Sequence, residues 1–147
     1  MWNSSRSLLL TRILTAVLFV LLIAAAVFMP RLMHDYLGVN DRHALYSRLL
    51  ALVYASLVPA AAMLVVLWRL LGNIAAERVF TESNIRLLRI LSWGSFAVAA
   101  IYGVFGFYFI TAFMIAAFAV FLGLVLRVIK NVFQHALEIK TENDFTV

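Results

Sequence analysis

The sequence predicts an all-α integral membrane protein, a single domain over residues 1–147 folded as an antiparallel four-helix bundle. Three observations lead to this fold class. The hydrophobic fraction is 65% and the mean hydropathy is +1.02, whereas soluble domains are about 45–50% apolar. Long uncharged runs alternate with short polar segments. The basic residues collect in alternate segments, which is typical of multi-pass membrane proteins.

Composition also excludes several kinds of chemistry. The chain contains no cysteine, which excludes disulfides, thiolate metal sites and cysteine-based redox reactions. Its net charge of +5 does not indicate nucleic-acid binding, because most basic residues flank apolar runs, where they orient helices and meet anionic headgroups. We therefore expect the lipid bilayer as a partner and no direct contact with nucleic acid.

The first membrane span is predicted over about residues 9–31. Its uncharged core, Ile13–Pro30, is 18 residues long, and a span needs about 20 residues. Arg12 can extend it by reaching toward the headgroups. A cleaved signal peptide is the alternative, with Arg6 and Arg12 as its basic region. The apolar run is long for a signal peptide, which favours a span.

The second span is predicted over about residues 48–72, around the 20-residue uncharged run Leu49–Trp68. Pro59 lies in the middle of this run, where it removes one backbone hydrogen bond and favours a kink. The preceding connection, Arg31–Ser47, is polar and contains the turn-forming residue Gly38.

The third and fourth spans are predicted over about residues 86–107 and 111–130. Ile90–Leu126 carries no charge for 37 residues, which suits two spans joined by a tight turn near Gly106–Thr111. Beyond the fourth span, apolar and polar residues alternate at helical spacing as far as Ile139. This helix is longer than the hydrocarbon core is thick, so we expect it to extend into the cytoplasm, with a bend onto the membrane surface as the alternative.

The basic residues orient the spans. Nine of the twelve lie at the amino end, in or beside an elbow predicted over 73–85, and in or beside a tail predicted over 131–147. Positively charged segments stay in the cytoplasm, so we expect both termini, the elbow and the tail to be cytoplasmic. The nine are Arg6, Arg12, Arg69, Arg78, Arg86, Arg89, Arg127, Lys130 and Lys140; the remaining three, on the opposite side, are Arg31, Arg42 and Arg48.

Small residues recur at helical spacing in three spans. Such stripes let helix backbones approach closely in lipid, so we interpret them as the seams of helix hairpins, with a dimer interface as the alternative. The stripes are Ala51, Ala55 and Ala62 in the second span, Ser95, Ala99 and Gly103 in the third, and Ala112, Ala116, Ala119 and Gly123 in the fourth.

Transport and metal binding are only weakly indicated. The apolar runs 13–30, 49–68 and 90–126 contain no Asp, Glu, Lys or Arg. A proton-coupled antiporter usually needs a charged residue inside a span, so this function is disfavoured, whereas passage of neutral or apolar solutes stays open. The outer connection carries His34, Asp35, Asp41 and His43, residue types that bind zinc. Their spacing matches no closed site and Arg42 lies among them, so a solvated loop is favoured and metal binding stays open.

A short elbow motif offers an enzymatic alternative. Glu77–Val79 and Asn84 resemble the E-R-V-x-R-A-x-x-N signature of membrane-associated glutathione and eicosanoid enzymes, which are four-helix proteins of similar length. Two positions depart from this signature: Thr81 stands where the second arginine is expected, and Asn84 lies one residue nearer to Glu77 than the signature asparagine would. The motif also follows the second span rather than the first.

Two segments carry sequence motifs. The elbow contains L-x-N-I followed by F-T-x-x-N and L-L-R-I, and the chain end contains E-x-K-x-E-N-D-[LF]-T-[IV]. In these motifs the chain resembles YoaS-like bacterial membrane proteins, a family of unknown function. The resemblance covers essentially the whole chain and implies four spans in a bacterial cytoplasmic (inner) membrane and no known catalytic activity. Such proteins are often encoded beside a small Cro-type helix-turn-helix regulator, which implies a cytoplasmic partner. The matching residues are Leu71, Asn73, Ile74, Phe80, Thr81, Asn84 and Leu87–Ile90, then Glu138, Lys140 and Glu142–Val147.

Both matching segments should lie on the cytoplasmic side, where we expect one docking surface. Its residues are Arg78, Phe80, Thr81, Asn84, Arg86, Arg89, Glu138, Glu142, Asn143, Asp144, Phe145 and Thr146. The three carboxylates of this set would face its three arginines. Thr81 would cap the third helix, and Phe80, Phe133 and Phe145 would form an apolar plug. The alternative is a frayed tail, with elbow charges that meet only lipid phosphates.

The leading functional hypothesis is a non-enzymatic regulatory or interaction module that partners a cytoplasmic helix-turn-helix regulator or a larger membrane complex. The first alternative is a small homo-oligomeric transporter or channel-like protein for neutral or apolar solutes. The second is a membrane glutathione-transferase-like enzyme. The residues assign no catalytic group, cofactor or metal ligand.

Overall fold

A computed structural model describes residues 4–37 and 43–146. In this part all regular secondary structure is α-helical, and each of the four helices is long and apolar enough to cross a membrane. The prediction of an all-α chain with four candidate spans is therefore confirmed. The helices are α1 (Ser4–Leu37), α2 (His43–Ala75), α3 (Glu82–Gly106) and α4 (Ile110–Phe145).

The last helix is the longest of the four. α4 has 36 residues, or about 54 Å at 1.5 Å per residue, whereas the hydrocarbon core of a bilayer is about 30 Å thick. The tail predicted over 131–147 is helical as far as Phe145. Its described part is therefore an extension of α4 and not a frayed segment.

The connections between the helices are short. The elbow predicted over 73–85 is non-helical only over 76–81, and the turn predicted near Gly106–Thr111 occupies 107–109. Pro59 lies inside α2, which continues through it. Residues 38–42, with the predicted turn former Gly38, lie outside the described part.

Among the described residues, helix backbones approach one another only between neighbours in the sequence. α1 contacts α2, α2 contacts α3, and α3 contacts α4, whereas no described residue of α1 contacts α3 or α4. Neighbours run antiparallel: Arg12 of α1 stacks on Trp68 late in α2, 4.9 Å from the ring centroid, and the hydroxyl of Tyr54 early in α2 donates to the carbonyl of Ala26 at 2.9 Å.

The described helices therefore form a series in which each helix approaches the next one along the chain, and the four-helix bundle itself stays a prediction. The physical reason for this series is that a membrane-spanning helix is surrounded by lipid and not by water. Lipid tails are as apolar as leucine side chains, so no hydrophobic force drives α1 and α4 together and only close, specific contacts hold helices to one another.

The most extensive contact between two helices is the one between α3 and α4. A Cβ on Gly123 would lie 2.8 Å from the Phe96 ring, and the hydroxyl of Ser92 donates to the carbonyl of Gly123 at 2.8 Å. Both observations place the backbones almost in contact. The predicted seam is confirmed for Ser95, Ala99, Ala112, Ala116, Ala119 and Gly123, all buried.

The rest of the predicted seam is wrong. A Cβ on Gly103 would meet no described atom of another helix within 4 Å, and the alanine stripe of α2 is exposed. α2 meets α3 through larger side chains instead, since Leu70 forms a buried cluster with Leu88 and Leu91. A stripe of small residues shows where a helix can be approached and not whether its neighbour uses that face. The exposed alanines are Ala51, Ala55 and Ala62.

Candidate docking site beside the elbow

The elbow begins with a tight helix ending. The N–H of Arg78 donates to the carbonyl of Asn73, and the N–H of Glu77 donates to the carbonyl of Ile74, both at 3.0 Å. This is the hydrogen-bond pattern of a Schellman motif. It places Glu77 at a φ of 60°, in the left-handed region, which strains a side-chain-bearing residue by about 1 kcal/mol.

Asn84 holds the elbow together from inside. Its side chain is completely buried; Oδ1 accepts a hydrogen bond from Nδ2 of Asn73, and its own Nδ2 donates to the carbonyls of Arg78 and Val79, each at 2.7 Å. The two asparagines of the elbow motif thus tie the end of α2, the loop and the start of α3. Asn84 positions the surface around it and is not itself accessible to a partner.

Thr81 begins α3 as the sequence predicts. Its backbone is extended, and its hydroxyl accepts a hydrogen bond from the N–H of Asn84 at 3.3 Å, which is the geometry of a helix N-cap. Glu82 follows in the first turn, where a carboxylate interacts favourably with the helix dipole. The start of α3 is therefore determined by local chemistry.

Two phenylalanines pack beneath the elbow. The rings of Phe80 and Phe133 meet edge to face with centroids 5.3 Å apart, and Phe133 also packs against the leucine cluster. Phe145 is 86% exposed, so the expected three-ring plug contains two rings. Because α4 stays helical, its last residue is carried about 18 Å along the axis beyond Phe133.

A groove of about 560 Å³ opens beside the elbow, between the first turns of α3 and the last turns of α4. Its α3 wall carries two arginines and Glu82, its α4 wall carries two glutamates, and Ile85 and Leu137 are apolar residues of the lining. The lining residues are Glu82, Ile85, Arg86, Arg89, Gln134, Leu137, Glu138, Thr141, Glu142 and Phe145.

The charged walls of the groove do not pair with each other. In the described part of the chain the ion pairs are His34–Asp35 and His135–Glu138, each at 3.6 Å. The expected contacts between elbow arginines and tail carboxylates are therefore not formed. Arg86 and Arg89 face Glu138 and Glu142 across open space, where a third group can reach both.

The structure divides the twelve predicted docking residues into three groups. Arg86, Arg89, Glu138, Glu142 and Phe145 line the groove; Arg78, Phe80, Thr81 and Asn84 build the elbow; Asn143, Asp144 and Thr146 lie at the end of α4. The hydroxyl of Thr146 donates back to the carbonyl of Glu142 at 3.1 Å, which satisfies one carbonyl of the last turn. The elbow therefore lies beside the groove and positions it, and of the twelve residues only Asn84 is buried.

The sequence interpretation missed half of the lining. Gln134 and Leu137 belong to the amphipathic pattern of α4, which signalled a two-sided helix without showing its partner. Glu82 and Ile85 share one face of α3 with Arg86 and Arg89 through their spacing of three and four residues. That spacing is the signal that finds them.

The outer-connection metal hypothesis stays a prediction. Across residues 4–37 and 43–146, no three His, Cys, Asp or Glu side chains are grouped in a way that could hold a metal ion. His34 pairs with its neighbour Asp35 on α1, and Asp41 lies outside the described residues.

Comparison with known proteins places the chain in a family of unknown function. The family described as "Protein of unknown function (DUF2975)" matches residues 39–147, which is all of the chain after α1, so the chain belongs to that family. The YoaS-like resemblance stays a prediction beside this match. No curated protein and no solved structure matches the chain.

Proposed function

We propose that this member of the DUF2975 family is a non-enzymatic, multi-pass protein of the bacterial cytoplasmic membrane that docks a cytoplasmic protein in the groove beside its elbow. The observation that carries the proposal is the charge pattern of the groove. Two arginines of α3 lie across the groove from two glutamates of α4 and do not pair with them, Glu82 adds a third carboxylate on the α3 side, and apolar side chains also line the groove.

The distribution of positive charge supports a cytoplasmic groove. Arg12 stacks on Trp68, and Arg127 lies 5.1 Å from the ring centroid of Trp93, so basic residues of several helices lie near the elbow end of the molecule. Segments rich in arginine and lysine stay in the cytoplasm. Both termini then lie on the cytoplasmic side.

The length of α4 supports an accessible groove. The helix exceeds the hydrocarbon thickness by about 24 Å, and its last turns form one wall of the groove. Even a tilted α4 leaves this wall in water, where a soluble protein reaches it.

The groove favours a helical partner segment. Such a segment would present acidic residues to α3, basic residues to α4, and apolar residues at helical spacing between them. A cytoplasmic helix-turn-helix regulator, which the family resemblance implies, is the leading partner; a subunit of a larger membrane complex is the other form of the same proposal.

Sidedness is tested first, and the absence of native cysteines makes single-cysteine labelling clean. Ser83→Cys in the elbow region, Asn143→Cys near the chain end and Ser47→Cys at the opposite end are all exposed positions. In spheroplasts, a membrane-impermeant maleimide should label only the Ser47→Cys variant. Labelling of Asn143→Cys from outside contradicts the orientation.

Docking is tested by photo-crosslinking in cells. A photoreactive amino acid at Glu142, inside the groove, should capture a soluble protein, whereas the same residue at Lys140, exposed but outside the groove, should not. The double variant Arg86→Glu/Arg89→Glu should abolish the adduct. An adduct of twice the chain's own mass would mean that a second copy occupies the groove and would contradict the proposal.

A further inference from the structure

A second, separate crevice lies closer to the middle of the chain's last hairpin. It has a volume of about 350 Å³ and lies between α3 and α4. Its lining residues are Arg89, Ser92 and Trp93 of α3 and Arg127, Lys130 and Asn131 of α4. We call it the basic crevice.

The position of the basic crevice along the hairpin follows from the sequence. Arg89 is the last charged residue before the uncharged run 90–126, and Arg127 is the first charged residue after it. Because α3 and α4 run antiparallel, the hairpin brings both ends of the run to the same level. That level is where the apolar part of a membrane hairpin gives way to headgroups.

The basic crevice holds three cationic groups and no carboxylate. Its lining includes Arg89, Arg127 and Lys130 and neither Asp nor Glu. The two ion pairs among the described residues both involve histidines elsewhere in the chain. Three converging positive charges repel one another, and this repulsion is relieved when an anion binds among them.

Arg127 is held ready for an anion. Its guanidinium lies 5.1 Å from the ring centroid of Trp93 and 5.5 Å from that of Phe96. Stacking uses the face of the guanidinium and leaves its N–H edges free, and those edges match the oxygens of a phosphate. At the floor, the hydrogen bond from Ser92 to the carbonyl of Gly123 fixes α3 against α4.

Trp93 adds a wall suited to the membrane interface. Its side chain is 59% exposed although it follows the start of the uncharged run. Indole rings are enriched at the headgroup level, where one side meets acyl chains and the other meets water. The crevice therefore combines a positive floor with an apolar rim.

From these observations we propose that the basic crevice binds the phosphate of an anionic phospholipid headgroup. The N–H edge of Arg127 and the ammonium of Lys130 contact the phosphate oxygens, Arg89 completes the positive field, and the acyl chains leave past Trp93. The inference concerns a different cavity from the docking groove, and Arg89 is the only residue that lines both. Its test therefore leaves Arg89 unchanged.

The test uses the purified full-length chain in phosphatidylcholine nanodiscs with increasing phosphatidylglycerol. Retained lipid is counted by native mass spectrometry, and the melting temperature is followed in parallel. The double variant Arg127→Gln/Lys130→Gln should weaken phosphatidylglycerol binding about tenfold. The matched control Arg6→Gln/Arg12→Gln removes the same charge, including an arginine that also stacks on a tryptophan, and should leave binding nearly unchanged.

A single variant and two competition measurements separate a specific lipid site from a general effect of charge. Lys130→Gln alone leaves the Arg127–Trp93 stack intact, so it should weaken binding without changing the melting temperature in pure phosphatidylcholine. Equal losses in both double variants would show a general charge effect and overturn the site. Displacement of the lipid by millimolar inorganic phosphate, or equal retention of phosphatidylcholine, would overturn the assignment to an anionic lipid.

Discussion

The hairpin of α3 and α4 and the first helix are both apolar, yet they pack very differently. In the most apolar stretches of α3 and α4, 28% and 22% of residues are buried inside the protein, against 6% in α1. The α3–α4 seam is built from alanine, glycine and serine. Among the described residues, α1 approaches only α2, through contacts such as the Tyr54–Ala26 hydrogen bond and the Arg12–Trp68 stack.

This difference shows what holds helices together in a membrane protein. Apolar surface is abundant in α1, but lipid satisfies it as well as protein does, so it creates no tight interface. Backbone approach at small residues and buried interhelical hydrogen bonds do create one. The family match begins at residue 39, so α1 lies outside the shared region, whereas α2, whose most apolar stretch is also only 6% buried, lies inside it.

The largest expected effect comes from filling the tight seam. Gly123→Leu forces a side chain into the Phe96 ring, which a Cβ would already meet at 2.8 Å, and should lower the free energy of unfolding by about 3 kcal/mol. The measurement is SDS-driven unfolding in dodecylmaltoside micelles, followed by circular dichroism. The control Gly103→Leu enters open space, and an equal loss there would refute the seam.

The second largest effect is expected in the elbow, which joins α2 to the closely packed α3–α4 hairpin. Asn84→Ala removes the partner of Asn73 and leaves the carbonyls of Arg78 and Val79 without their donor. We expect a loss of about 2 kcal/mol in the same unfolding assay. Asn143→Ala, at an exposed position near the end of α4, is the matched control and should be neutral. Similar losses would mean that the buried network contributes nothing specific.

A third change should strengthen the elbow. Glu77→Gly keeps the Schellman hydrogen bonds and removes the strain of a φ of 60°, so it should raise the free energy of unfolding by about 0.5–1 kcal/mol. Glu77→Ala keeps the strain and serves as the control. If alanine stabilises as much as glycine, the charge of Glu77 and not its backbone explains the gain.

The smallest effect is expected at the contact between α1 and α2. Tyr54→Phe deletes the hydrogen bond to the carbonyl of Ala26 and should cost about 0.6 kcal/mol, a typical value for such bonds in membranes. Tyr102→Phe is the control, since the structure gives its hydroxyl no hydrogen bond in the described part of the chain. A loss as large as that of Gly123→Leu would show that α1 is bound as firmly as the hairpin.

Several local features were predictable because they depend on neighbours in the sequence. The Thr81 cap needs only a hydroxyl ahead of a helix, and the turn at 107–109 needs only a run too long for one span. The role of Asn84 was not predictable in the same way. Its partners are backbone carbonyls of the loop, and only the folded elbow brings those carbonyls to its amide.

Sequence and tertiary structure thus determine different aspects of this protein. Hydropathy and charge spacing alone determine four long apolar helices, since these properties act residue by residue against the surrounding solvent. Only packing decides which helices touch, which glutamates of α4 lie across the groove from the arginines of α3, and that Arg89 and Arg127 line one crevice. These contacts join residues far apart in the chain, so they depend on the fit of whole helix faces.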